Sequence, residues 1–258
     1  MMLLLLVLGC RDNWEEYYAR PDWLEGPIYQ QLEKEGRFNT FMSLLEYMGY
    51  DDILGKTGYF TLFAPNDSAF DVFFKSRNIN SVEELDTALI RDIVQYALVE
   101  NGYTPEHLAA VQSSEGWVNG VSFRRLTRSS KKYYRTNVID GLNGYIDAYV
   151  KNDGIKYIPY FLDEFFTTVG IPSADYNRIF PDVPYTGFNV VDARVIGDFI
   201  VAENGYIYEL DKVILPLPNL DEYMNEHPEK LHIRQDVALD KALIQYFPCK
   251  GEIKGSGK

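Results

Sequence analysis

The chain has 258 residues, of which 46% are hydrophobic and 24% are charged, with a formal net charge of -13 and a pI near 4.7. This composition is typical of a globular protein that is long enough to bury a core. The negative charge repels nucleic acid and anionic lipid headgroups, and basic residues adjoin only in pairs such as Arg124-Arg125 and Lys131-Lys132. Nucleic-acid binding is therefore not expected.

The chain starts with an apolar run, MMLLLLVLG, which is too short to span a bilayer and is followed directly by Cys10. Val7 to Cys10 resembles the lipobox of bacterial lipoproteins, although the basic segment that usually precedes it is missing. The alternative is a buried N-terminal strand with an incidental cysteine. We predict a signal peptide at residues 1–9 and lipidation of Cys10, which would anchor the exported protein in the bacterial outer membrane, at the cell surface or the periplasmic face. Only Cys249 would then remain, so no structural disulfide is expected.

Residues 10–24 are polar, aromatic and interrupted by Pro and Gly, which is typical of a tether. Helical periodicity begins at Ile28. Apolar residues spaced three or four apart from Phe38 to Met48 predict a helix that ends at Gly49.

Two further helix starts are indicated. Ser81 and Glu84 form a capping-box pattern ahead of an apolar stripe, and Thr104-Pro105 places Pro at a first helical position. The first hundred residues are therefore predicted to be mostly helical.

The segment YFTLFAPNDSAFDVFF, residues 59–74, combines two periods. Its first five residues are β-prone, whereas the apolar residues from Ala69 onward recur at helical spacing. Pro65 cannot donate to a strand ladder, and Asn66 or Asp67 can accept hydrogen bonds from the amides at the start of the following helix. The segment predicts a strand, a turn and a capped helix.

From Trp117 the period changes to two, which predicts mostly antiparallel strands. The expected hairpin turns are Asn119-Gly120, Asn143-Gly144, Asp153-Gly154 and Asn204-Gly205. Helices first and strands later predict an α+β domain in which the strand around Phe63 joins the late strands.

The decapeptide TLFAPNDSAF closely resembles the first signature of the fasciclin (FAS1) family, and residues 202–216 resemble its closing motif, an Asn-Gly turn leading into a final strand that ends at Pro. The resemblance covers residues 25–217. It implies helices packed on a wedge-shaped antiparallel β-sandwich, here with an enlarged β-rich insertion. The positions that match the family motifs, and whose role it implies to be structural, are Thr61, Phe63, Ala64, Pro65, Asn66, Asp67, Ala69, Phe70, Tyr96, Asn204, Gly205, Asp211 and Pro216.

Two positions depart from the family pattern. The Tyr-His pair in the middle of the family appears here as Tyr96-Ala97, and the usual His of the closing motif is Tyr208. The adhesion role ascribed to that region in animal members is therefore not carried over. Residues 218–258 return to helical spacing and are either the start of a second FAS1 unit or a C-terminal helix packed on the first domain.

Catalytic and metal-binding patterns are not found. The three histidines pair with neither Cys nor another His at ligand spacing, and adjacent carboxylates are typical of a solvated acidic surface. Asp67-Ser68-Ala69 resembles an acceptor for O-glycosylation, but helix capping explains these residue types as well. We predict a protein that is not an enzyme and has no metal or other cofactor.

Tyrosine is abundant, with 20 residues. Six crowd into the inserted strands: Tyr133, Tyr134, Tyr145, Tyr149, Tyr157 and Tyr160. Cross-strand packing accounts for many such rings, yet Tyr145, Tyr149 and Tyr157 are the best candidates for a contact surface. The predicted function is a lipid-anchored adhesion or binding module for a protein or glycan ligand at the cell surface. The alternative is a glycan-binding accessory protein of a polysaccharide-uptake system.

Overall fold

The computed structural model describes residues 25–218 apart from residues 57, 132–133, 141–143 and 151–153, and it does not describe the side chains of residues 131–154. The chain divides into two units, Met1–Pro216 and Leu217–Lys258, and the described residues lie almost entirely in the first. The predicted signal peptide, tether and C-terminal helix lie outside the described residues.

Helices dominate the first part of this unit. The described helices are α1 (Ile28–Glu35), α2 (Asn39–Tyr47), α3 (Tyr50–Lys56), α4 (Asp67–Arg77), α5 (Thr87–Tyr96), α6 (Pro105–Ala109), α7 (Asp163–Val169) and α8 (Tyr176–Ile179). The apolar stripe that begins at Phe38 forms α2, and the next helix starts immediately after Gly49, which has φ of 71°. Within the described residues, no helix has both the length and the apolar character needed to cross a membrane.

The helix start predicted at Ser81 is wrong. Residues Val82–Glu84 form a short 3₁₀ turn, and Leu85 then adopts an extended conformation that places its side chain in the core. The Glu84 carboxylate accepts a hydrogen bond from the Asn80 amide at 3.1 Å. Helix α5 therefore begins only at Thr87.

The helix start predicted at Thr104 is confirmed. Thr104 Oγ1 accepts a hydrogen bond from the His107 amide at 3.4 Å, and Pro105 is the first residue of α6.

Twelve strands occur within the described residues: β1 (Phe60–Pro65), β2 (Leu98–Glu100), β3 (Val111–Ser113), β4 (Gly116–Val118), β5 (Arg124–Lys131), β6 (Tyr134–Asp140), β7 (Gly144–Val150), β8 (Gly154–Leu162), β9 (Phe188–Val190), β10 (Ala193–Arg194), β11 (Ile200–Ala202) and β12 (Gly205–Leu210). Eight of them form one sheet in the order β10-β9-β8-β5-β2-β1-β12-β11, and β3-β4 and β6-β7 are separate hairpins.

The sheet is mostly antiparallel, as predicted, and β1 joins the late strands through β12. The pairing of β1 with β12 is parallel, which the sequence pattern did not predict. Parallel neighbours require a crossover connection, and here the whole chain between β1 and β12 supplies it.

The sheet curls, because Val195, just after β10, forms an antiparallel bridge with Leu210 of β12. The amide of Ile196 donates to the carbonyl of Glu209 at 2.9 Å, which adds a second link. The edge that ends in β10 therefore returns to the closing strand.

Two hydrophobic clusters use the two faces of this sheet. Leu62 of β1 packs in the helix-side cluster, whereas its neighbour Phe63 packs in the cluster enclosed by the curled strands. In β12 the corresponding pair is Ile207 and Tyr208. Successive side chains on a strand point to opposite faces, so each central strand contributes to both cores. The predicted α+β class is confirmed.

Candidate functional site

The first signature motif forms the junction between β1 and α4. Asn66 Oδ1 accepts a hydrogen bond from the Ala69 amide at 2.9 Å, so the cap predicted here is present. Asn66 Nδ2 donates to Glu209 Oε1 at 2.7 Å, and Glu209 Oε2 accepts from Arg37 Nε at 2.8 Å. Asn66 therefore joins the start of α4 to the closing strand.

Asp67 is the first residue of α4, but its carboxylate caps α2. The N-cap position of α2 is Phe38, which offers no side-chain acceptor. Asp67 Oδ1 accepts from the Thr40 amide at 2.8 Å, and Oδ2 accepts from Asn39 Nδ2 at 2.9 Å. Burial by itself raises the pKa of the Asp67 carboxyl, but the hydrogen bonds from Thr40 and Asn39 bring it below its ordinary value. The Asn-Asp pair thus caps two different helices.

Asn204 of the closing motif has a comparable structural role. Its side chain is buried, Oδ1 accepts from the Ile28 amide at 2.7 Å, and Nδ2 donates to the Leu54 carbonyl at 2.9 Å. The residue links the start of α1 to α3.

The turn predicted at Asn204-Gly205 is displaced by one residue. Ala202 pairs with Gly205, so the two turn residues are Glu203 and Asn204, and Gly205 is the first residue of β12. The positive φ predicted for Gly205 is present, at 145°. A Cβ atom at Gly205 would lie 1.8 Å from the carbonyl oxygen of Phe60, so this position is closed to larger residues by the neighbouring strand β1.

Two other motif residues bind backbone groups. Thr61 Oγ1 donates to the Asn101 carbonyl at 3.0 Å and accepts from the Tyr103 amide at 2.8 Å. Asp211 accepts from the amide and Nε of Arg194 at 2.7 and 2.5 Å. The remaining motif positions are buried, except for half-buried Pro216: Phe63, Ala64, Pro65, Ala69, Phe70 and Tyr96.

The two places where the family pattern has histidine, at Ala97 after Tyr96 and at Tyr208, are part of the core. Tyr96 is fully buried and its hydroxyl donates to the Tyr157 carbonyl at 3.2 Å. Tyr208 stacks on Phe63 with ring centroids 5.4 Å apart, and its hydroxyl donates to the Tyr103 carbonyl at 2.8 Å. Burial raises the pKa of the Tyr208 phenol well above its usual value. Both rings stabilise the interior of the curled sheet.

The structure separates the predicted tyrosine cluster. Tyr157 is 46% exposed. Tyr160 is buried, with its hydroxyl 2.8 Å from that of Ser122, so it does not contribute to a surface. Tyr145 and Tyr149 lie in β7, but their side chains are outside the described residues and their contact role stays a prediction.

An open groove of about 550 Å³ lies beside Tyr157, between β2 and β5. In the part of the chain that the structure describes, these strands pair at Val99 and Thr127 alone. Two residues after Val99, Asn101 adopts φ of 73°, a left-handed conformation that Asn tolerates better than most residues. The chain turns away there, so the first half of β5 has an open flank.

Three arginines of β5 line this groove, which we call the arginine groove. Its lining includes Arg124, Arg125, Arg128, Tyr103, Ile155 and Tyr157. Arg125 is fixed, because its Nη2 donates to the His107 carbonyl at 2.7 Å and its guanidinium lies 4.4 Å from the Tyr103 ring centroid. Its Nε is buried without a hydrogen-bond partner within the described residues.

Arg124 and Arg128 are held less firmly. Arg128 lies 3.6 Å from the Glu100 carboxylate, which is 68% exposed. Arg124 is exposed, lies 4.6 Å from the Tyr157 ring centroid, and has no carboxylate partner within the part of the chain that the structure describes. Sequence reasoning missed this groove, because it considered adjacent basic pairs and did not weigh RRLTR as three cations on one strand.

The described residues contain no cluster of three or more His, Cys, Asp and Glu side chains that could hold a metal ion. The polar geometry offers hydrogen bonds and positive charge for binding. These features define a class of protein in which helices pack on a curled, mostly antiparallel sheet. In this class the signature residues stabilise the fold.

The fasciclin domain model matches residues 36–147. Residues 36–147 are therefore similar to a fasciclin domain, as the motifs predicted, while the bounds 25–217 stay a prediction. Among solved structures, a FAS1 domain pair from the insect cell adhesion molecule fasciclin I matches with 13% identity and a TM-score of 0.44, over 77% of this chain and 53% of that one. This chain thus spans about half the length of that structure. No curated protein matches the sequence.

Proposed function

We propose that the protein is a non-catalytic adhesion or binding module of the fasciclin type, exported and held by a lipid on Cys10 in the bacterial outer membrane. The fasciclin match supports the binding role, since fasciclin domains are typically adhesion or binding modules and are generally non-catalytic. The proposed partner is a protein or glycan at the cell surface.

One observation carries the proposal for this chain: the polar side chains of the signature motifs form their hydrogen bonds within the fold. The side chains of Asn66, Asp67 and Asn204 each form hydrogen bonds to helix ends or to the closing strand. Buried polar groups that are satisfied in this way stabilise a structure. Ligand contact is therefore assigned to surfaces outside the signature motifs.

The anchor is supported by the apolar run that leads to Cys10. Full-length protein produced in a bacterium that processes lipoproteins should incorporate labelled palmitate and partition into detergent. Cys10→Ala should lose both properties, whereas Cys249→Ala should keep them. Equal labelling of the Cys10 variant would contradict the lipobox interpretation. Protease treatment of intact cells would then distinguish the cell surface from the periplasmic face.

The binding role is tested with immobilised glycans and matrix proteins. Cells that display the full chain should adhere to at least one of them, and cells without it should not. A folded, displayed chain that adheres to none would contradict the proposal, and turnover of any polysaccharide would contradict its non-catalytic part.

The alternative function, a glycan-binding accessory protein of a polysaccharide-uptake system, is favoured by one observation. Tyr157 is 46% exposed beside an open groove, where an aromatic ring can contact a sugar. Binding on a glycan array should fall in Tyr157→Ala and persist in Tyr47→Ala, whose ring is 61% exposed on α2. Tyr145→Ala and Tyr149→Ala extend the same test. Glycan binding that none of these changes affects would contradict the tyrosine surface.

A further inference from the structure

We propose that the arginine groove binds an acidic polysaccharide, with the carboxylate or sulfate groups of the ligand on Arg124 and Arg128. The inference rests on the proposed binding function and names the chemical class of its ligand. It requires positive charge that is available to a ligand, space for a chain of sugars, and lining groups that suit hydroxyls as well as anions.

The groove is electropositive in an acidic protein. The chain carries a formal net charge of -13, yet the described residues that line the groove include three arginines and a single carboxylate, that of Glu100. A polyanion is repelled by the protein as a whole and attracted only where cations are concentrated. Charge complementarity therefore directs an acidic ligand to this groove.

Arg124 is the cation most available to a ligand. Its side chain is exposed, and its contacts within the described residues are with aromatic rings, 4.6 Å from Tyr157 and 5.5 Å from Phe123. Stacking on a ring orients a guanidinium while leaving its N–H groups free for planar, bidentate recognition of a carboxylate or sulfate.

Arg128 is less exposed than Arg124. Its side chain is 33% exposed, and its guanidinium lies 5.8 and 5.9 Å from the ring centroids of Tyr50 and Phe60. Its contact with Glu100 is long, at 3.6 Å, and contributes little to stability, because that carboxylate is 68% exposed and water competes for it. A ligand anion can bind the guanidinium from the groove side. Arg125, in contrast, is occupied by backbone carbonyls and supplies charge and shape.

The same walls favour a polysaccharide over an acidic peptide. Glu100 and Asn101 line the same groove and offer oxygen acceptors to sugar hydroxyls. A run of Asp and Glu would place like charges against Glu100. An acidic polysaccharide presents hydroxyls and anionic groups together, and its sugar faces can contact Tyr157 and Ile155.

The test uses the full chain in a mild non-ionic detergent and measures binding to four polymers: polygalacturonate, dextran sulfate, neutral dextran and poly-glutamate. Polygalacturonate or dextran sulfate should bind, with an affinity that falls as salt rises, and neutral dextran should not. The first two polymers distinguish carboxylate from sulfate recognition.

Arg124→Gln should weaken this binding about tenfold or more, and Arg124→Lys by less, because a single charged hydrogen-bonding contact has about that effect. Arg124→Gln/Arg128→Gln should weaken it further. The matched control is Arg178→Gln, whose side chain is 80% exposed on α8 and does not line the groove, and which should change affinity less than about twofold. Unchanged melting temperatures would establish that the variants are folded.

Three results would overturn the inference: a folded wild-type chain that binds neither acidic polysaccharide, equal loss in Arg124→Gln and Arg178→Gln, or preference for poly-glutamate. Adhesion to another partner that survives in Arg124→Gln would leave the proposed function standing while the groove assignment fails. Groove-dependent polysaccharide binding without adhesion of cells would support the groove and contradict the adhesion role.

Discussion

Replacing Asn66 with Ala tests whether the first signature motif is structural. The variant loses the cap of α4, which is worth about 1 kcal/mol. It also removes the donor to Glu209, whose side chain is only 9% exposed and keeps Arg37 as a partner. The loss of one hydrogen bond by a buried acceptor lowers the free energy of unfolding by about 1 kcal/mol more. We expect Asn66→Ala to lower the free energy of unfolding by about 2 kcal/mol.

Replacing Asp67 with Ala acts on a different helix. It removes the acceptor for the Thr40 amide and for Asn39 Nδ2 at the start of α2, at a cost of about 1 kcal/mol or slightly more. Because the two side chains have different hydrogen-bond partners, we expect the double variant to lose about 3 kcal/mol, and a different loss would measure the coupling between these adjacent residues. Asp71→Ala, an exposed carboxylate on α4, is the matched control and should change stability by less than about 0.5 kcal/mol.

The assay is urea unfolding followed by circular dichroism, paired with binding to the partner that the adhesion experiment identifies. Partner binding should survive at temperatures where the variants remain folded. A double variant that keeps its stability and loses its partner would show that the motif is a binding site. A Glu209→Ala cycle with Asn66→Ala should give a coupling energy of about 1 kcal/mol, and zero coupling would contradict the bridge between α4 and β12.

Gly205→Ala should cost more than about 3 kcal/mol in urea unfolding because its Cβ would meet the Phe60 carbonyl oxygen, whereas Gly197→Ala, at φ of 64° with open space around it, should cost about 1 kcal/mol; equal costs would refute the close approach. Tyr160→Phe should lose about 1 to 2 kcal/mol in the same assay, because its hydroxyl donates to a buried carbonyl at 2.8 Å, and an unchanged midpoint would contradict this. Asp67→Asn should be less stable than the wild type at neutral pH. Because the folded pKa of Asp67 lies below its ordinary value of 3.8, the difference should persist above that pH and disappear as the pH falls through the lower folded value; a pH-independent difference would contradict it.

Local sequence rules predicted the features that local contacts decide. The strand, turn and capped helix around Asn66 follow from the chemistry of Pro and Asn within a few residues. The same holds for the helix that starts at Pro105. The alternation of Leu62 and Phe63 is also a local pattern, although only the fold shows that the two side chains enter separate cores.

Features that depend on distant partners were placed incorrectly or missed. The capping-box pattern at Ser81 was overridden because Leu85 turns into the core. The turn near Gly205 moved by one residue because that glycine faces the backbone of β1, a strand far away in sequence. The carboxylate of Asp67 caps α2 instead of its own helix, which requires the two helices to be adjacent.

The arginine groove shows why a functional surface is harder to predict than a fold motif. The negative net charge and the scarcity of adjacent basic residues indicated an acidic surface. Neither measure considers which residues lie on the same strand. The arginines of β5 line a groove because the chain turns away from β5 at Asn101 and leaves the flank beside them open. The signature residues, in contrast, are used by helix ends and the closing strand. We therefore infer that a partner is recognised at the arginine groove, where the pairing of β2 with β5 ends. Substitution of Arg124 tests this inference most directly.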